Sequence, residues 1–73
     1  MHTIYLRTDE DLGDNRMRDL QAELRAVGHI TDVEINSRTP RDILVEFEEA
    51  FISPMEILKQ LQRKGIHADI MSG

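Results

Sequence analysis

Apolar and polar residues alternate from His2 to Arg7, with Ile4 and Leu6 on one side and Thr3, Tyr5 and Arg7 on the other. That is the pattern of a strand with one buried face. The stretch from Thr8 to Asp14 is polar and acidic and holds a glycine, so it reads as a loop, with Asp14 placed to cap a helix. The period then changes. Met17, Leu20, Leu24 and Val27 fall on one helical stripe, and Gly28 is expected to end that helix in the left-handed conformation. Ile30, Val33 and Ile35 mark a second strand, and Asn36 to Asp42 a hairpin loop. Ile43, Val45 and Phe47 alternate with Leu44, Glu46 and Glu48 in a third strand. Ser53-Pro54-Met55-Glu56 combines a capping serine, a proline at the first helical position and a glutamate placed to complete a capping box. Ile57, Leu58 and Leu61 form the buried stripe, Lys59, Arg63 and Lys64 suit the helix end, and Gly65 stops it. Ile66 to Met71 is a short last strand.

The order β-α-β-β-α-β predicts one α+β domain over residues 1–73. It is a ferredoxin-like sandwich, with a four-stranded antiparallel sheet in the order 4-1-3-2 and both helices on one face. Ile4, Leu6, Leu20, Leu24, Ile35, Val45, Phe47, Ile57, Leu61 and Ile70 are the expected core, with Met17 and Met55 in it or at its edge. The same alternation leaves Tyr5, Leu44 and Met71 on the open face of the sheet, ringed by Thr3, Glu46 and Asp69. Such a patch suits contact with another protein or weak self-association.

Composition narrows the function. The chain has no cysteine, so disulfides, thiolate metal sites and nucleophilic thiols are excluded. A reducing, cytoplasmic setting fits that composition. No basic segment leads into a long apolar stretch, so neither a signal peptide nor a membrane-spanning helix is expected. Fourteen acidic residues against nine basic ones give a net charge of −5, which argues against nucleic-acid binding. Tyr5, Phe47 and Phe51 are the only aromatics, too few for a base-stacking sheet.

The residues also carry a resemblance. Leu20 and Leu24 on the first helix, Ile30 and Val33 at the second strand, Val45-Glu46-Phe47, and Ser53, Glu56, Ile57 and Leu61 match the pattern of heavy-metal-associated domains. Gly65-Ile66-His67-Ala68 mirrors the closing motif of that family. The resemblance covers nearly the whole chain and implies the same fold. It also implies a pair of metal-binding cysteines in the first loop. Counting back from Val33, those positions fall on Gly13 and Arg16, while Glu10-Asp11-Leu12 replaces the Gly-Met-Thr before them. Copper(I) prefers soft thiolate or thioether donors, so copper transfer of the family's kind is not expected, and no cofactor is.

Other constellations are sparse. The first loop and the turn before the last strand should meet at one end of the sheet. Asp9, Glu10, Asp11 and Asp14 would then lie near His67, and Asp11, Asp14 and His67 are the candidates for a weak divalent-metal site. Arg7, Arg16 and Arg18 could hold an anion near the first helix. His2 and His29 belong at the opposite end, His29 as a helix-end cation. No catalytic grouping is recognisable, so the chain reads as a non-enzymatic module. The βαββαβ order and the first-loop glycine are shared with ACT domains, which bind small ligands, although Asn15 stands where they carry an apolar residue. Three roles stay open: a protein-interaction module, an ACT-like small-ligand regulator, and a carboxylate–histidine divalent-metal binder.

Overall fold

The computed structural model describes residues 2–72. Six elements follow the expected order: β1 (His2–Thr8), α1 (Asp14–Arg25), β2 (Ile30–Ile35), β3 (Asp42–Phe47), α2 (Pro54–Arg63) and β4 (Ala68–Ser72). The sheet runs β2-β3-β1-β4, the predicted order read from the other edge, and every neighbouring pair is antiparallel. Helix α1 packs on β2 and α2 on β4, and the two helices share one core with the sheet. This is the ferredoxin-like sandwich.

The two helices begin differently. At α2, Ser53 caps as expected: the Glu56 amide donates to Ser53 Oγ at 3.3 Å, and the Ser53 hydroxyl donates to Glu56 Oε1 at 3.2 Å. Pro54 takes the first helical position, where its missing N–H costs nothing. At α1 the cap is Gly13 and not Asp14, and no side chain bonds the free amides. Gly13 has φ 82° and ψ 160°, a region open essentially only to glycine. Asp14 lies inside the first turn, where its charge complements the helix dipole.

The helix ends differ too. Gly65 has φ 75°, the left-handed stop that the sequence predicts for α2. After α1 the left-handed residue is His29, with φ 72°, and not Gly28. A side chain in that conformation costs roughly 1–2 kcal/mol. Two contacts hold it: the Glu48 amide donates to the His29 carbonyl at 2.8 Å, and the imidazole stacks on Phe51 with ring centres 4.5 Å apart.

Most of the predicted core is buried, namely Ile4, Leu6, Leu20, Leu24, Val45, Phe47, Ile57 and Leu61, with Met17 among them. Val33 and Ile43 complete the strand contribution, and Ile30, Ile52 and Ile66 close its ends. Three expectations fail. Ile35 is half-buried at the end of β2. Ile70 is exposed although it pairs with the buried Leu6, because β4 is an edge strand with one open flank. Met55 is exposed as well: it stands two residues before Ile57, hence on the opposite side of α2.

Candidate functional site

The open face of the sheet is built by strand alternation. Tyr5 pairs with Leu44, Thr3 with Glu46, and Arg7 with Asp42 across β1 and β3. Glu34 of β2 pairs with Leu44, and Asp69 of β4 with Arg7. All of these residues therefore point away from the helices. Tyr5 and Leu44 adjoin a shallow cleft of about 330 Å³ whose walls include Glu34, Asn36, Thr39 and Asp42. Met71, the third residue of the expected patch, lies on β4 at an irregularity of the pairing. A register shift between Tyr5 and Leu6 sets Ser72 opposite Tyr5 and Ile70 opposite Leu6. Met71 is the extra residue of that bulge, half-exposed at the sheet edge.

A small polar network lies beside the Tyr5–Leu44 pair. Arg7 donates from Nε to Asp42 Oδ1 at 3.1 Å and from Nη2 to the Tyr5 hydroxyl at 3.4 Å. Hydrogen bonding from Tyr5, then the Arg7 guanidinium and Thr39, holds the Asp42 carboxyl below the usual carboxylate range, against a smaller opposing effect of desolvation. Tyr5 and Asp42 together raise the Arg7 guanidinium above its ordinary value. The sequence groups Arg7, at the end of the first strand, with Arg16 and Arg18 as an anion site and gives no sign of this network. The missing information was the register between β1 and β3, which are not consecutive strands. Once Tyr5 is set opposite Leu44, the same count sets Arg7 opposite Asp42.

The first loop meets the turn before β4, as expected: the Asp9 amide donates to the His67 carbonyl at 2.9 Å. The metal candidates are not gathered there. His67 lines a cleft of about 120 Å³ with Asp9, Glu10 and Arg16, whereas Asp14 lines a different cleft with Asn36 and Pro40. Asp11 is turned inward on its own loop, where its Oδ1 accepts from the Gly13 amide at 2.9 Å. Among the described residues no three His, Asp or Glu side chains converge as a metal site would require. The anion site does not form either, because Arg7 is on the open face and Arg16 Nη2 donates to the Lys64 carbonyl at 3.4 Å.

The opposite end of the sheet carries His2 and His29 on either side of the chain that leaves β3. His2 Nδ1 lies 3.6 Å from Glu49 with its ring edge-on to Phe47, and His29 Nδ1 lies 3.5 Å from Glu48. His29 is thus matched to an acidic loop and a phenylalanine, where a helix-end role was expected.

No family model and no curated protein matches the sequence significantly. Solved structures do match. A copper-binding domain from HMA7, a P-type ATPase, superposes with a TM-score of 0.87 at 15% identity, over 99% of this chain and 96% of that one. Oxidized MerP from Ralstonia metallidurans CH34 gives 0.85 at 17% identity, over 97% of each chain. The yeast copper transporter domain CCC2A gives 0.82 at 15%, over 97% of this chain and 96% of that domain. The chain has the fold of a heavy-metal-associated domain. At such identities the likeness concerns the backbone, and the metal site has to be judged on the residues present. They do not fit copper(I). Gly13 and Arg16 stand where the resemblance places the cysteine pair, and the chain holds no cysteine at all. The positive φ of Gly13 would strain any side chain there, so the backbone as well as the donor set has departed from a thiolate site. No helix among the described residues is long and apolar enough to cross a membrane.

Proposed function

We propose that this chain is a non-enzymatic protein-interaction module on a heavy-metal-associated scaffold, working as one cytoplasmic domain without a metal. Its contact surface is the open face of the sheet around Tyr5 and Leu44. The observation that carries the reading is the apolar Tyr5–Leu44 pair beside an open cleft, on the one face of the sheet that the helices leave uncovered. A flat sheet with an apolar centre and a polar rim has the anatomy of a protein contact. The residues at the expected ligand positions support the reading by what their chemistry lacks, since Gly13 and Arg16 offer copper(I) no soft donor.

The test is site-specific photo-crosslinking in extract of the host cell, with the reactive group at Leu44 or, as a control, at the exposed Lys59 of α2. A discrete protein adduct is expected from position 44 alone, and it should vanish in a Tyr5→Asp background. Equal adducts from both positions, or none from 44, would overturn the proposal. So would retention of copper(I) by the chain against a strong copper(I) chelator.

A further inference from the structure

The charges around the Tyr5–Leu44 pair are unbalanced. Glu34 on β2, Asp42 and Glu46 on β3, and Asp69 on β4 share the open face, each placed there by its strand partner. Arg7 is the one base among those strand positions, and it is already occupied by Asp42 and the Tyr5 hydroxyl. Arg41, the base just before β3, donates to the Thr8 carbonyl at 2.7 Å. The cleft of about 330 Å³ thus has the Arg7-paired Asp42 and Glu34 in its walls, with Glu46 and Asp69 on the same face beyond it, so acid outweighs base there.

We infer that the occupant of this face is a basic protein segment: lysine or arginine side chains flanking one large apolar residue. The inference rests on the reading of the open face as a protein contact and adds the chemistry of its partner. The cleft has room for a leucine-sized or aromatic anchor, and anchors of that kind dominate interface energetics. The carboxylate rim then selects the flanks, because complementary charge speeds encounter and like charge excludes wrong partners. The same rim turns away the alternatives. Nucleic acid and anionic lipid would meet Glu34, Glu46 and Asp69 beyond the Arg7–Asp42 pair, and a second copy would set one acidic rim against another. Weak self-association through this face, one of the options that the sequence left open, is therefore disfavoured by the face's own charge.

The experiment uses the intact chain and two synthetic probes, a peptide alternating lysine with leucine and its counterpart with glutamate in place of lysine. Amide NMR should show the basic probe perturbing Tyr5, Glu34, Leu44 and Glu46, and the acidic probe perturbing nothing. Raising salt from about 0.05 M to 0.5 M should weaken binding roughly ten-fold. Glu34→Lys with Glu46→Lys should weaken it roughly ten-fold or more, whereas Asp19→Lys with Glu10→Lys, the same change in net charge elsewhere, should alter it less than about two-fold. Equal loss in both double variants would reduce the effect to bulk charge and overturn the inference. Binding of the acidic probe, perturbation confined to the helices, absence of any binding, or dimerisation through this face in sedimentation would overturn it as well. Failure here with the Leu44 crosslink intact removes only the basic partner, whereas loss of that crosslink removes the interaction reading itself.

Discussion

The two faces of the sheet are made by the same strands and obey opposite rules. On the covered face, Ile4, Leu6, Ile43 and Val45 are at most 1% exposed and belong to one hydrophobic core. One residue along in either direction, Thr3, Tyr5, Arg7 and Leu44 stand on the open face with a hydroxyl, a guanidinium and carboxylates around them. The covered face answers to packing, where a methylene more or less is felt. The open face answers to whatever it meets. A scaffold can therefore keep its covered face and its backbone while its chemistry moves, and fold alone does not name function.

The sharpest check on the covered face is Leu24, which is 0% exposed where α1 presses on the core. Leu24→Ala should cost about 2–5 kcal/mol in urea unfolding, a large share of the stability of a chain this small. A cost below about 1 kcal/mol would mean that the covered face tolerates cavities and that the contrast between the faces is weaker than the packing implies.

The covered face was also the legible one. Period-two runs in β1 and β3, the 3.6-residue stripes of both helices and the Ser53–Glu56 cap each follow from local chemistry, so the sequence carries them openly. What escaped were features decided by register and by tertiary contact. The irregularity that sets Ser72 opposite Tyr5 is announced by no residue type. Arg7 found Asp42 through the register of β1 against β3, two strands that a helix and another strand separate along the chain. The left-handed position after α1 went to His29, because Phe51 and the Glu48 amide, distant in sequence, hold it there. The metal candidates failed for a related reason: Asp14, in the first turn of α1, and His67, in the turn before β4, open onto different clefts.

A smaller effect is expected where the open face is truncated. Leu44 is 37% exposed and meets Tyr5 directly across the strands. Such a cross-strand pair contributes roughly 0.2–1 kcal/mol, so Leu44→Ala should lower stability by less than about 1 kcal/mol while removing the crosslink to a partner. A loss of stability near that of Leu24→Ala would show that the open face also carries the fold, and the division of labour between the faces would fail.

The smallest effect concerns protonation of the network beside Leu44. Asp42 is held below its ordinary value of 3.8, first by Tyr5 and then by Arg7 and Thr39. A carboxyl whose pKa is depressed by folding contributes stability that is present above the unfolded value and is lost as pH falls through the folded one. The contribution should therefore be constant across neutral pH and disappear only in acid, at values below 3.8. The pair lies at the surface, with the Arg7 side chain 44% and the Asp42 side chain 16% exposed, so the change in stability should be slight, and the informative readout is the titration midpoint of the Asp42 carboxyl by NMR. Tyr5→Phe should raise that midpoint towards 3.8, because the hydrogen bond from the phenol is the largest single influence holding it down. Arg7→Gln should raise it too, and the core carboxyl-free residues Ile4 and Val45 should keep their amide shifts in both variants. An Asp42 midpoint unmoved by Tyr5→Phe would show that the phenol does not hold the carboxyl. The acidic rim would then be set by the ion pair alone, and Tyr5 would serve the open face only as an apolar surface.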